Sequence, residues 1–262
     1  MSRPGLGARF FLIIRLAFCY IINETRTMML NLLITALMAW AQAQNSHILT
    51  GIQYIEAHKY DMALYDFNLA IEKDRSDEAY YWRGVALYHL HQHDKAMEDF
   101  NMLIKKNPFH ADALHFRGKI EYGKGDLDAA LEDFNRAFSS NPKHVENLKS
   151  RILALNDLGK TEQAIEDFKR LINITPNYVV YHYSLSRLQL KIGDAKGAIE
   201  SLNRAIELDN NDPDLYYGRA LALLAEGNKY AACKDLTRAR SLGFLEDHDP
   251  QLDFCLKHID QH

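Results

Sequence analysis

The chain has 262 residues, 25% of them charged and 47% apolar, and a formal net charge of −4. That balance suits one or two folded domains or one elongated one, and supplies no field favouring nucleic acid. Three cysteines with no CxxC spacing argue against a disulfide framework or a zinc module.

The first 43 residues differ from the rest. Residues 10–22, FFLIIRLAFCYII, are apolar except for Arg15, and residues 29–41, MLNLLITALMAWA, form a second apolar run. Each is short for a bilayer span, which needs about 20 apolar residues. The second run ends in AWAQAQ, where Ala39 and Ala41, or Ala41 and Ala43, make a small-x-small cleavage site. The sequence therefore predicts a leader over 1–43 that is either a cleaved signal peptide or an uncleaved membrane anchor. Cleavage after Ala41 removes four arginines and Glu24, leaving 27 basic and 34 acidic residues, net −7.

From residue 44 onward the chain repeats itself. Ala63, Ala96, Ala130, Ala164, Ala198 and Ala232 are spaced 33, then 34 throughout. Four residues after each come Phe67, Phe100, Phe134, Phe168, Leu202 and Leu236, and three further on Ala70, Leu103, Ala137, Leu171, Ala205 and Ala239. Pro108, Pro142 and Pro176 close the second, third and fourth copies. A fixed period in this range marks a stacked repeat array. Apolar residues at i, i+3, i+4 and i+7 make each copy two helices. Gly125, Gly159, Gly193 and Gly227 mark the turn between them, and His58 and His91 hold that position in the first two copies. Glycine takes the left-handed backbone with ease, and histidine is among the residues enriched there. Asp61, Asp94, Asp126 or Asp128, Thr161 and Asp194 lie where they can cap the second helices.

This pattern resembles the tetratricopeptide repeat, whose helix–turn–helix has an aromatic and glycine in its first helix and an A-x3-F…P second half. The matching residues are Tyr80, Gly84, Ala96, Phe100 and Pro108, then Gly118, Ala130, Phe134 and Pro142. The departures are Ile152, Ser186 and Ala220 in place of the first-helix glycine, and no exit proline in the first, fifth and sixth copies. The resemblance implies an all-α fold, a right-handed α-solenoid (superhelix) of six repeats: 44–76, 77–110, 111–144, 145–178, 179–212 and 213–246. Residues 247–262, with Leu252, Leu256 and Ile259 on one face, read as a C-terminal capping helix, which such an array needs to cover its last stacking face.

Charged residues repeat as well. Arg83, Arg117, Arg151 and Arg219 share one position, and Asp66, Asp99, Asp133, Asp167 and Asp235 another. The fifth repeat has lost both, carrying Leu185 and Ser201. Pairing within a repeat leaves only Asp66 alone, so structural ion pairs Arg83–Asp99, Arg117–Asp133, Arg151–Asp167 and Arg219–Asp235 are expected. His89, His91 and His93 are read as turn residues rather than metal ligands. Cys233 falls on a core position and Cys255 on the capping helix. In an exported chain the two are candidates for a disulfide, a pairing the sequence leaves open.

No phosphate-cradling glycine loop, G-x-S-x-G or H-E-x-x-H occurs, so no catalytic residue, cofactor or metal is assigned and no enzyme activity is expected. In proteins the chain resembles, the first helices line a concave groove. The corresponding positions here are Tyr81, Val85, Tyr88, His115, Lys119, Tyr122, Lys149, Leu153, Tyr183, Arg187 and Tyr217, a tyrosine-rich ladder with a basic middle. Tyrosine is enriched in interfaces, and basic groups take acidic side chains or a C-terminal carboxylate. The first repeat carries Ile48 and Ile52 where chaperone-binding relatives hold a carboxylate clamp, so a chaperone tail is not the expected partner. The expected function is a scaffold that binds a protein or peptide segment, exported to the periplasm or cell envelope. The alternatives are a membrane-attached adaptor and a docking subunit for a separate catalytic partner. Neither nucleic acid nor a small-molecule substrate is expected, and the membrane only through an uncleaved leader.

Overall fold

The computed structural model describes residues 46–244 together with Leu32 and Cys255. The leader of residues 1–43 and the capping helix of 247–262 therefore lie outside the described residues, those two positions excepted. Every regular element among the described residues is a helix. They are α1 (residues 46–56), α2 (Tyr60–Lys73), α3 (Asp77–His89), α4 (His93–Lys106), α5 (Ala111–Lys124) and α6 (Leu127–Ser140). Then follow α7 (Val145–Asp157), α8 (Thr161–Ile174), α9 (Val179–Lys191), α10 (Ala195–Leu208), α11 (Pro213–Glu226) and α12 (Lys229–Ser241). The fold is the all-α helical repeat. The first helices α3, α5, α7, α9 and α11 begin at residues 77, 111, 145, 179 and 213. The chain forms two compact units divided between Leu103 and Ile104, inside α4.

Each turn between paired helices has one residue with positive φ. It is histidine in the first two repeats, His58 (55°) and His91 (58°), then Gly125 (85°), Gly159 (70°), Gly193 (81°) and Gly227 (90°). Asp126 and Asp194 cap the second helices through their carboxylates, which accept from the amides of Ala129 and Gly197. Thr161 and Asp61 do not cap. Each is already inside its helix, where Lys160 and Lys59 hold the cap position without a side-chain bond. The first helices start on caps the sequence analysis did not name. His110 and His144 accept through Nδ1 from the amides of Ala113 and Asn147 at 3.3 and 2.9 Å.

In the N-terminal unit α2 packs on α3, and Ile48, Ala63, Phe67 and Ala70 form its core. In the C-terminal unit successive helices from α5 to α12 pack in order, and the first helices also touch, α5 with α7 and α9 with α11. The small first-helix residue explains the buried phenylalanines. A Cβ on Gly51, Gly84 or Gly118 would lie 2.4, 2.7 or 2.8 Å from the ring of Phe67, Phe100 or Phe134. No side chain fits that space while the ring stays in place. Where Ile152 stands instead, Phe168 is only half-buried and its ring lies 6.4 Å from that of Tyr181. Where Ser186 and Ala220 stand, the facing residues are Leu202 and Leu236, both buried.

Candidate functional site

The repeated arginines hold the helices of each repeat together. Nε and Nη2 of Arg83, Arg117, Arg151 and Arg219 donate side by side to Asp99, Asp133, Asp167 and Asp235, over 2.5–2.8 Å. The forked geometry matches a guanidinium to a carboxylate. Three of these arginines also reach back one repeat through Nη1: Arg83 to Asn68, Arg151 to Asn135 and Arg219 to Asn203, at 3.2, 3.2 and 2.8 Å. The pair is thus also a stacking link, which the sequence analysis missed. Shallow crevices of about 240 Å3 beside Arg83 and about 300 Å3 beside Arg219 occupy equivalent places along these links. In the fifth repeat a neutral bond replaces the ion pair, Ser201 Oγ donating to Gln189 Oε1 at 2.7 Å. Asp66 is not alone, because His47 Nδ1 lies 2.9 Å from its Oδ1.

The ladder assigned to the groove divides by environment. Val85 and His115 are buried, 3% and 5% exposed, and so do not face a groove. His115 is enclosed by Phe116, Phe134 and His144, with ring centres 5.4–5.9 Å away. Its burial, then the charges of Lys119 and His144, push its pKa down to about 4. In the N-terminal unit Tyr81 is half-buried against Trp82 and Phe100, and Tyr88 meets His89 edgewise and His93 at a tilt. In the C-terminal unit the Tyr122 hydroxyl donates to Asp157, tying α5 to α7. Tyr217 stacks on Phe244 with ring centres 4.3 Å apart. Lys119 places its ammonium 5.2 Å from the centre of the Phe116 ring.

What remains open lies on α7 and α9. Lys149, Leu153 and Asn156, at i, i+4 and i+7 on α7, are all exposed. Val180, Arg187 and Lys191, at i, i+7 and i+11 on α9, are exposed as well. Leu153 is 55% exposed, Val180 56% and the neighbouring Tyr178 53%. The Lys149 ammonium feels Tyr181 of the next repeat and Tyr178 at the end of its own, after its closer partner Glu146. The same relation recurs one repeat on, where Asp214 and Arg187 both act on Tyr183, whose burial raises the phenol above its usual value. Val180 and Tyr178 were not assigned by the sequence analysis, although Val180 is an apolar residue at a first-helix position that is acidic in Glu146 and Asp214.

Among the described residues no group of three or more His, Cys, Asp or Glu side chains is placed to hold a metal. No described helix is long and apolar enough to cross a membrane. Models described as tetratricopeptide repeat match residues 77–110 and 117–179, and one described as TPR repeat matches 187–227. The chain belongs to the tetratricopeptide-repeat family.

Comparison of this tetratricopeptide-repeat chain with curated protein sequences gives no match. Among solved structures it is similar to YrrB, described as a TPR protein with an unusual peptide-binding site. The TM-score is 0.61 at 16% identity, over 75% of this chain and 98% of that one. PilF of Pseudomonas aeruginosa gives 0.61 at 14% identity, over 83% and 98%. MamA gives 0.53 at 20% identity, over 61% and 93%. At such identities the likeness concerns the fold.

Proposed function

We propose that this chain is a non-enzymatic scaffold whose C-terminal unit binds a peptide segment of a partner protein on the exposed face of α7 and α9. The observation that carries this reading is the run Lys149, Leu153, Val180 and Arg187. The other ladder residues on the first helices are buried or half-buried, whereas these four are exposed, Lys149 with Glu146 of its own helix as partner. Apolar side chains held exposed on rigid helices and rimmed by polar groups mark interaction sites. YrrB, a TPR protein with a peptide-binding site, offers a parallel for the same reading.

The setting we propose is the periplasm or cell envelope. Two features support it: the apolar run of residues 29–41 ending in a small-x-small motif, and the disulfide between Cys233 and Cys255, a bond that persists in oxidising compartments. Mass spectrometry of the chain recovered from its own cells tests the leader. A mature start at Gln42 or Gln44 is expected, and an intact leader would favour the membrane-attached adaptor. For the binding face, a photo-crosslinking residue is placed at Leu153 and, in a second protein, at Tyr65, which is 66% exposed on α2. Peptides selected from a random library on the full chain should crosslink from position 153 and not from 65. Crosslinks from 65 alone would move the binding surface to the second helices and end this reading.

A further inference from the structure

The two ends of the array differ. At the C-terminal end Cys255 is buried among residues of α11 and α12 and bonded to Cys233. At the N-terminal end the first repeat turns a stacking face outward, and no described repeat precedes it. Contacts further along show which positions form that face. Trp82 of the second repeat packs on the core of the first, and Lys95 and Glu98 line a crevice with Leu64 and Asn68 of the first. The Arg170 guanidinium of the fourth repeat lies 5.4 Å from the ring centre of Phe138 in the third. The same positions in the first repeat are Leu49 on α1 and Met62, Tyr65 and Leu69 on α2. The last three lie at i, i+3 and i+7, one stripe along the helix. Leu49 is 59% exposed, Met62 51% and Tyr65 66%, and Leu69 is half-buried.

This chemistry is confined to the first repeat. Where Tyr65 stands, the next four repeats carry Glu98, Glu132, Glu166 and Glu200, and the last Lys234. Where Leu69 stands, the last four carry Arg136, Arg170, Arg204 and Arg238. A terminal repeat that faces water needs a polar outer face. Here the positions that meet a preceding repeat carry charge, and the end with no repeat before it is apolar. An exposed apolar face of this kind marks an interaction site.

We infer that this face joins two copies of the mature chain in a two-fold dimer, α2 packed antiparallel on α2, with Tyr65 near the axis and Met62 of each copy against Leu69 of the other. Three observations select a second copy as the occupant. The stripe holds no charge and is therefore complementary to itself, as a two-fold contact requires. Its ends carry mixed charge, Lys59 and Asp61 before Met62 and Glu72 and Lys73 after Leu69, all exposed, so antiparallel packing opposes no run of like sign. The stacking face at the C-terminal end is closed by Cys255, which bars a head-to-tail contact and leaves only another N-terminal face to stack on. The mature chain begins at Gln42 or Gln44, within four residues of α1 at residue 46, and so keeps no segment of its own that reaches the face; this last point rests on the cleavage proposed above. The apolar run of residues 29–41 has the chemistry to cover the face as well, but cleavage removes it.

Sedimentation equilibrium of the chain recovered from its own cells, at micromolar concentration, tests this beside the mass of its N-terminus. The mass of two chains is expected. Tyr65→Glu and Tyr65→Lys each set like charges against one another near the axis. Each should weaken the dimer about a hundredfold or more with helicity unchanged, and an equal mixture of the two should restore it. The photo-crosslinking residue at position 65 should join two copies, with the join inside α2 of the second. A monomer that starts at Gln42 or Gln44 overturns the inference and leaves the cleavage standing. A dimer that either variant leaves intact, or that the mixture does not restore, overturns it too. A monomer with its leader intact overturns both and gives the face to the leader. A dimer of the uncleaved chain that both variants dissolve upholds the two-fold contact and removes the cleavage alone.

Discussion

His115 and Glu121 stand on one helix and oppose each other in their response to pH. His115 holds a position that shows tyrosine or lysine in all the other repeats but the first, where Ile48 stands, and like Ile48 it is buried. Burial comes first among the causes that lower its pKa to about 4, followed by Lys119 and His144, against weaker support from Asn147 and Glu146. A histidine depressed on folding stabilises above its unfolded value near 6.5, and that contribution is lost as pH falls through about 4. Glu121 stands where Leu87, Leu155 and Leu223 stand in other repeats. Burial, then the neighbouring Asp133, raise its pKa to about 7, with Arg117 opposing and Asp126 adding a little. A carboxyl raised on folding stabilises below its unfolded value near 4.5, and that contribution is lost as pH rises through about 7. His115→Gln should therefore flatten the acid limb of stability between pH 6.5 and 4, and Glu121→Gln the limb between pH 4.5 and 7. Since one pKa unit is about 1.4 kcal/mol and both groups keep some solvent, the stability change across each limb should shrink by on the order of 1–2 kcal/mol. Urea midpoints for both variants at several pH values check this; a variant whose slope matches the parent's refutes its half of the argument.

At the scale of the helix pair, the chain offers natural controls for its own packing. Gly118→Ala places a Cβ 2.8 Å from the Phe134 ring, and overpacking of this kind costs about 1–3 kcal/mol. The sixth repeat shows the remedy, an alanine opposite a leucine, so adding Phe134→Leu should recover most of the loss in thermal midpoint. If the double variant is no better than the single one, the ring is not what limits that glycine. The ion pairs admit a similar test. Arg151 and Asp167 are nearly closed off, with side chains 10% and 1% exposed. Asp167→Ala strands a buried guanidinium and should cost about 3–5 kcal/mol. Writing the fifth repeat's solution into the fourth, as Arg151→Leu, Asp167→Ser and Leu155→Gln together, should cost far less, read from denaturant midpoints. The Arg–Asp pairing was legible because both residues recur at fixed spacing and vanish together at Leu185 and Ser201. Its link to the preceding repeat was missed, although the sequence holds a signal for it: asparagine follows the packing phenylalanine at Asn68, Asn101 and Asn135 and becomes Lys169 just before the repeat that lacks the arginine. The exposure of individual groove positions was harder to read. Position alone makes Tyr81, His115 and Lys149 equivalent, yet the first is half-buried, the second buried and the third exposed.

For the molecule as a whole, the sequence carried the repeat and its period, because one stacked unit must present the same faces six times. It left the end of the array open, because the pairing of two cysteines depends on where a segment outside the period comes to lie. In the structure Cys255 is buried among Ala220, Leu223, Ala232 and Leu236, and is bonded to Cys233 across 22 residues. Closing a loop of that length stabilises by about 3 kcal/mol where the native geometry is undistorted. Stability in a repeat array is a sum of local terms and nearest-neighbour interfaces, so that contribution belongs to the last repeat first. Cys233→Ser with Cys255→Ser, or reduction of the parent protein, should therefore speed amide exchange in α11 and α12 by one to two orders of magnitude, which corresponds to about 1.4–2.8 kcal/mol of local opening. Exchange in α5 and α6 should stay within about twofold, because several interfaces separate them from the bond. An acceleration spread evenly from α5 to α12 would mean instead that the C-terminal unit opens as one cooperative block, held shut from its far end by a single covalent link.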